Sequence, residues 1–197
     1  MKQITPKLFE KNCKKFYRIE QKARYYDLAM EIVDEHPLQA CIIILATWNS
    51  RCFNTAKNKA KILSKLELAL KTTEPLFKQL KNKKFATADF SKIKRQIKRI
   101  YSSFSKIKGI EYTGASKVMH LLNPELFVMW DNAIRNKSQV SEKNRKRHTH
   151  FKNTADGYLE FLDYMQKRYN GIKKGVKGRT LAKCIDENNY IIYSKKK

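Results

Sequence analysis

We predict an all-α fold for this 197-residue chain, and three observations support that prediction. Apolar residues recur three or four positions apart through most of the chain, which is the spacing that lines one face of a helix. Glycine and proline are scarce, with six and four copies, so tight β-turns have few places to form. The β-branched residues never alternate strictly with polar ones over the length of a strand. A hydrophobic fraction of 42% is enough to build a core.

The periodicity predicts nine helices along the chain. Their expected ranges are 7–34, 37–51, 56–71, 73–81, 90–107, 115–122, 131–137, 154–169 and 178–188. The range 37–51 contains an apolar run that is typical of a buried helix. The range 90–107 has a single stripe of isoleucine and phenylalanine, with lysine and arginine on its other faces.

The later helices have recognisable ends. The range 115–122 stops at Asn123 and Pro124, because proline cannot continue a helix. Asp131 and Thr154 begin the next two, since Asp and Thr favour the N-cap position. We interpret the polar, basic and aperiodic segment 137–152 as a surface loop, and 195–197 as a disordered tail.

The charge balance indicates a polyanionic partner. The chain has 43 Lys and Arg against 18 Asp and Glu, a formal charge of +25. Such an excess repels itself within a compact domain, and binding to phosphates offsets that repulsion and releases condensed counterions. Nucleic acid is therefore the expected partner, although a lysine-rich proteome would give the same composition.

Several other classes of protein are excluded. No run approaches the roughly 18 apolar residues that span a bilayer, so we expect no membrane partner. The N-terminus lacks the apolar core and cleavage site of a secretory signal, which predicts the cytoplasm. The four cysteines form no C-x-x-C pair, and His148 and His150 have no acidic or thiol neighbours in the sequence. We therefore expect no metal site and no cofactor.

The segment 109–135 carries the clearest chemical signal. Gly109 and Gly114 predict a turn that opens a helix, and free backbone N–H groups at such a turn can seat a phosphate. Lysines lie close to it in the sequence at positions 106, 108 and 117. A P-loop is rejected because its lysine must follow the second glycine directly, whereas two residues separate Gly114 from Lys117 here.

This segment resembles the helix-hairpin-helix DNA glycosylase superfamily, which includes endonuclease III and the 8-oxoguanine glycosylases. In that family a glycine hairpin leads into a helix with a lysine near its start. An apolar link then reaches a catalytic aspartate that begins another helix. Lys117 and Asp131 occupy those two positions, with 126–130 as the link. The glycines are further apart than usual and lack the family's proline, and the archaeal 8-oxoguanine glycosylases also have a modified hairpin. Between residue 27 and the hairpin, the resemblance to the family is limited to the order of the predicted helices.

The resemblance implies a single two-lobed helical unit with a DNA cleft between the lobes. One lobe would span about 30–115, and the other would combine 1–29 with 116–193, followed by the basic tail 194–197. It also implies a monomer, associated with the nucleoid, that removes a damaged base from double-stranded DNA in base-excision repair. An oxidised base such as 8-oxoguanine is the leading expectation for the lesion.

The resemblance further implies roles for particular residues. Lys117 would attack the sugar C1′ as an unprotonated amine and cut the strand through a Schiff base, while Asp131 would stabilise the positive charge on the sugar. The expected DNA contacts are Asn49, Arg51, Lys106, Lys108, Gly109, Gly114, Ser116 and Arg135. The expected base pocket, which would receive the flipped base, consists of Trp48, Phe53, His120 and Trp130.

Plainer interpretations stay open for each of these residues. Lys117 could be a solvated or phosphate-facing lysine, Asp131 an N-cap only, and both tryptophans core residues. For the whole protein, the main alternative is a non-catalytic helix-hairpin-helix protein that binds nucleic acid. An RNA-binding helical module is a third candidate.

Overall fold

The computed structural model describes residues 3–138 and 150–194, and within these ranges it confirms the all-α class, since they contain helices and no strand. The helices are α1 (Pro6–Ile19), α2 (Ala23–Ile32), α3 (Pro37–Trp48), α4 (Ser50–Thr55), α5 (Lys59–Leu80), α6 (Phe90–Ser105), α7 (Glu111–Leu122), α8 (Asn132–Lys137), α9 (Ala155–Arg168) and α10 (Leu181–Asn189). A π-helical turn, Tyr190–Ser194, follows α10 directly. Residues 139–149 of the predicted loop, with His148, and the tail 195–197 lie outside the described residues.

The predicted boundaries need correction in the first half of the chain. The range 7–34 holds two helices, α1 and α2, with a break at residues 20–22. The range 37–51 ends as α3 at Trp48, and the short α4 begins at Ser50. The ranges 56–71 and 73–81 form one helix, α5, which continues through Pro75. Both halves of α5 bury leucines in the same core, which compensates for the backbone hydrogen bond that proline cannot make.

The packing brings separated parts of the chain together. The core helix α3 packs against α2, α5 and α7, while α6 packs against α5, α7 and α9. The first helix, α1, packs against the last, α10, so the two ends of the described chain meet. The buried apolar side chains form one continuous core. None of the helices that the structure describes has the length and apolar character needed to cross a bilayer.

The turn between α6 and α7 is smaller than predicted. Gly109 has a φ of 95°, a left-handed conformation that favours glycine. The helix α7 begins at Glu111, four residues before the expected start, so Gly114 lies inside a helix and not in the turn. The Asn49 side-chain amide donates to the carbonyls of Gly109 (3.2 Å) and Ile110 (3.0 Å) and thereby holds the turn against the end of α3.

Gly114 allows α7 to approach α3 closely. A Cβ atom at this position would lie 2.7 Å from Asn49 Nδ2, 2.8 Å from Ile110 Cγ2 and 3.0 Å from Leu45 Cδ2. Both Asn49 and Gly114 were expected to contact DNA. The Asn49 amide is used inside the protein, and the residue, which is 6% exposed, also lines the cavity described below. Gly114 is itself buried beneath Asn49.

We predict that Gly114→Ala destabilises the protein by about 1–3 kcal/mol, since the added methyl group overpacks the α3–α7 contact. The gain in helix propensity from alanine, about 1 kcal/mol, offsets only part of this cost. Thermal unfolding followed by circular dichroism measures the effect. Gly171→Ala is the matched control, because a Cβ there meets no atom within 4 Å. Equal melting temperatures for the two variants would contradict the proposed contact.

Candidate functional site

A cavity of about 500 Å³ lies where five parts of the chain converge, one of which is the end of α1 with residues 20–22. The end of α3 and the start of α4 form one wall, and the first two turns of α7 form another. The link before α8, with the start of α8 itself, supplies a third wall, and α10 with the π-helical turn completes the cavity. Lys117 and Asp131, which are 14 positions apart in the sequence, both line it. A cavity of this size can hold a nucleobase with its sugar.

Lys117 lies in the second turn of α7 and is only 7% exposed. Its Nζ donates to the backbone carbonyl of Trp48 at the end of α3. Burial lowers the pKa of Lys117 to about 8, while the carboxylates of Asp131 and Asp186 act in the opposite direction. The charge of Lys22 also lowers this pKa. The lysines next to the turn, Lys106 and Lys108, are both exposed and do not line the cavity.

Asp131 combines a structural and a cavity position. One carboxylate oxygen accepts from the Ile134 N–H at 2.7 Å and caps α8. The other accepts from the Ser194 hydroxyl at 2.8 Å, which ties the link before α8 to the end of the π-helical turn. The N-cap interpretation and the cavity position are thus compatible, because the same half-buried side chain fulfils both.

Of the two tryptophans at the cavity, Trp48 is the more available. Its half-buried ring stacks on Tyr26, with centroids 5.8 Å apart and planes at 7°, and it meets the edge of Phe16 at 6.5 Å. Trp130 also borders the cavity, yet it is 0% exposed. Its Nε1 donates to the Tyr112 carbonyl at 3.1 Å, and the ring packs in the core. The core interpretation therefore holds for Trp130.

Two expected pocket residues lie outside the cavity. Phe53 is buried on α4, with the Lys59 ammonium 4.9 Å from its ring. His120 is fully buried, and its Nε2 is 2.9 Å from the Tyr26 hydroxyl while its Nδ1 is 2.5 Å from the Phe127 carbonyl. Burial lowers the pKa of His120 to about 3, so it is neutral at physiological pH. His120 supports Tyr26 and does not face the cavity.

The remaining expected DNA contacts divide into buried and exposed residues. Ser116 is fully buried, and its hydroxyl accepts from the Trp130 N–H at 3.2 Å, so it cannot reach a phosphate. Arg135 is 8% exposed and donates to the Phe151 carbonyl at 2.7 Å, which makes it mainly a structural residue. Arg51 is exposed at the cavity, while Lys106 and Lys108 are exposed beside the turn at buried Gly109.

Sequence reasoning missed the charged residues of α10. Asp186 lines the cavity, and its Oδ2 lies 3.3 Å from the Lys183 ammonium. Lys183 is 1% exposed and also lies 3.4 Å from Glu187, which binds Arg179. Lysine followed by acidic residues three and four positions later is the usual pattern of a solvated helix face. The sequence therefore does not indicate that Lys183, Asp186 and Glu187 are buried. Every residue of α10 is buried, which the sequence pattern does not reveal.

The aromatic cage around Lys183 consists of Phe16, Tyr26 and Trp48, whose ring centroids lie 4.7, 4.7 and 4.8 Å from its Nζ. The π faces attract the ammonium, and the cage therefore holds a buried cation beside the cavity. Two buried thiols, Cys13 and Cys184, approach Glu187 within 4.8 Å. Because Glu187 already binds two cationic side chains, this donor set does not suit a metal cation.

The cavity combines the groups that a covalent reaction at an electrophilic carbon requires. It holds an amine whose pKa is lowered to about 8, four carboxyl groups (Glu20, Glu111, Asp131 and Asp186) and the half-buried ring of Trp48. Such an amine can act as a nucleophile, and a nearby carboxylate can stabilise developing positive charge. Comparisons with protein-family models, with curated proteins and with solved structures find no match.

Proposed function

We propose that this protein is a base-excision DNA glycosylase with AP lyase activity, in which Lys117 is the nucleophile. The observation that carries the proposal is the shared cavity of Lys117 and Asp131, with the pKa of the buried lysine lowered to about 8. A solvated or phosphate-binding lysine would be exposed and would keep its charge. The excess of positive charge, +25, supports a nucleic-acid substrate.

The reaction follows from the chemistry of the two groups. The unprotonated Lys117 Nζ attacks C1′ of the damaged nucleotide, and the electron pair of the C1′–N bond leaves with the base. Asp131 stabilises the positive charge that develops on the sugar and takes up a proton from the attacking amine. Ring opening then gives an imine between Lys117 and C1′, from which β-elimination cuts the strand.

The same proposal covers the fold and the partner. A two-lobed helix-hairpin-helix glycosylase fold would use the turn at Gly109, with exposed Lys106 and Lys108, to hold the phosphate backbone. The extruded base would stack on Trp48. The substrate is double-stranded DNA that contains a damaged base, with 8-oxoguanine as the leading candidate. The protein acts at the nucleoid as a monomer and without a cofactor.

Borohydride trapping tests the proposal. Duplexes that each carry one modified base, together with a duplex carrying an abasic site, are incubated with the protein and sodium borohydride. A Schiff base is reduced to a stable protein–DNA adduct, which migrates as a separate band on a denaturing gel. Absence of an adduct on every duplex would overturn lysine catalysis. Binding without base release would then favour a non-catalytic nucleic-acid-binding protein, and preference for structured RNA at fixed salt would favour an RNA-binding module.

We predict that trapping on the abasic duplex speeds up with increasing pH. Because Lys117 must lose its proton before it attacks, the rate rises about tenfold per pH unit and levels off above its pKa of about 8. The charge of Asp131 raises the pKa of Lys117, so Asp131→Asn shifts this rise to lower pH. Single-turnover rates measured from pH 5.5 to 9.5 check both statements. A rate that is independent of pH would contradict a titrating nucleophile.

A further inference from the structure

Of the carboxyl groups that line the cavity, the proposed reaction uses Asp131 and leaves Glu20, Glu111 and Asp186 without a role, and of these three Asp186 is the one paired with a buried lysine. Its side chain comes from α10, whereas Asp131 precedes α8 and Lys117 lies on α7. Both oxygens of Asp131 are engaged, by Ile134 and Ser194. Within the described residues, Asp186 has one oxygen bound to Lys183 and no hydrogen bond to the other. The Asp186 side chain is 12% exposed and lines the cavity, so it is available to a ligand there.

Lys183 links Asp186 to the aromatic wall of the cavity. Its ammonium is 3.3 Å from Asp186 Oδ2 and 4.8 Å from the centre of the Trp48 ring. Tyr26 covers one face of Trp48 and does not line the cavity, so the surface of Trp48 that reaches the cavity is a different one. Lys183 thus joins the Asp186 carboxyl to the Trp48 ring on which the extruded base would stack. Asp131, at the start of α8, belongs to a different wall of the cavity.

The surroundings of Asp186 favour a carboxyl group that can carry a proton near neutral pH. Burial raises the pKa of Asp186 to about 6, Lys183 lowers it, and Glu187 and Asp131 raise it. The titratable groups that act on it or feel its charge are Lys183 and Glu187 on α10, Asp131, Lys117 on α7, Tyr26 on α2 and Tyr190. At pH 7 about a tenth of the Asp186 side chains are therefore protonated.

We propose that Asp186 is the acid that protonates the departing base. This inference rests on the proposed glycosylase function. A neutral base is a poor leaving group, because the electron pair of the broken C1′–N bond leaves it as an anion. A proton from the Asp186 carboxyl to a ring nitrogen or exocyclic oxygen lets the base leave neutral and leaves Asp186 as a carboxylate. Lys183 then stabilises that carboxylate.

The role predicts a difference between two reactions of the same protein. Excision needs Asp186 protonated and Lys117 unprotonated, with pKa values of about 6 and about 8. Between pH 6 and 8 the protonated fraction of Asp186 falls as fast as the unprotonated fraction of Lys117 rises. The excision rate is therefore flat over this range and falls below pH 6 and above pH 8. Trapping on an abasic site has no base to release. Its rate therefore rises to a plateau above pH 8 with no decline.

The experiment compares Asp186→Asn with the wild type on two duplexes. One carries whichever of 8-oxoguanine, 5-hydroxycytosine, hypoxanthine or uracil the wild type excises fastest, and the other carries an abasic site. We expect the single-turnover excision rate of Asp186→Asn to fall at least 100-fold and to lose its decline above pH 8. Trapping on the abasic duplex should fall less than about threefold, which also shows that the variant is folded. Asp186→Glu, which restores an acid, should recover at least tenfold over Asp186→Asn.

Affinity separates proton donation from mere recognition of the base. The probe is the same duplex with fluorine at the 2′ position of the lesion nucleotide, which slows excision. If Asp186 acts as a proton donor, the Asp186→Asn variant binds this fluorinated duplex with an affinity within about threefold of the wild type. Three results for Asp186→Asn would overturn the inference. The first is a loss of affinity large enough to explain the loss of excision. The others are an equal fall in excision and trapping, and an excision rate that does not change. If the wild type forms an adduct on the abasic duplex but excises none of the tested bases, the inference is overturned too, because the reaction then releases no base for Asp186 to protonate. Failure of the proposed function is distinct: the wild type then gives no adduct at all.

Discussion

Replacing Lys117 with glutamine is expected to abolish the borohydride-stable adduct, with a loss of at least about 1,000-fold in trapping on an abasic duplex. Glutamine cannot form a Schiff base, yet its amide can still donate to the Trp48 carbonyl that Lys117 contacts. The variant therefore removes the nucleophile with little change in packing. The adduct band on a denaturing gel, quantified against total labelled DNA, measures the effect.

The same substitution is not expected to weaken the fold. Burial lowers the pKa of Lys117 from 10.5 to about 8, so the folded protein disfavours the charged form. This costs about 3 kcal/mol at any pH below 8, and the cost disappears as the pH rises from 8 towards the unfolded value. Lys117→Gln removes a buried charge, and its melting temperature at pH 7 should equal or exceed that of the wild type.

Two exposed lysines away from the cavity and from the turn provide matched controls. Lys7→Gln and Lys65→Gln remove the same charge from side chains with no proposed DNA contact, so each should retain the adduct within about twofold at low salt. If Lys117→Gln still forms the adduct at the wild-type rate, Lys117 is not the nucleophile. Base release without any adduct would instead leave Asp131 with an activated water molecule.

Replacing Glu187 with glutamine is expected to destabilise the protein by about 3–5 kcal/mol. The Glu187 side chain is fully buried, binds Arg179 and lies 3.4 Å from the Lys183 ammonium, whose side chain is 1% exposed. Removing its charge leaves two cations with Asp186 as their only remaining acidic neighbour on α10. The aromatic cage attracts Lys183 but does not neutralise it. Urea unfolding at pH 7, followed by circular dichroism, measures the loss.

An exposed ion pair and a double variant test the cause of this loss. Glu67→Gln removes the partner of Lys71 in an exposed pair on α5 and should cost less than about 1 kcal/mol. Lys183→Met combined with Glu187→Gln removes the unpaired cation together with its partner. We expect the loss in the free energy of unfolding of the double variant to be smaller than the sum of the losses of the two single variants. Strict additivity would show that Lys183 and Glu187 do not depend on each other.

The candidate site could be predicted only in part. Lys117 and Asp131 were selected because a local pattern, a glycine turn followed by a helix, a link and an N-cap, is visible within 27 consecutive residues. Ser116 and His120, expected at the DNA and in the base pocket, are fully buried and hydrogen-bonded inside the protein, for a reason that the sequence does not show. A polar residue satisfied inside the protein and one that meets DNA have the same side chain, and only burial separates them.

The helical class, the positive charge and the order of local features in the segment 109–135 can all be predicted without a structure. These properties depend on residues close together in the chain or on composition alone, so periodicity and turn chemistry suffice to find them. That the last helix completes the cavity follows from the fold and not from any local pattern. The packing of α1 against α10 accompanies the approach of Lys183 to Trp48, more than 130 positions away in the chain, and Asp186 lines the same cavity. Burial then changes the pKa of Lys117 and of Asp186, because desolvation penalises charge only where the folded chain excludes water.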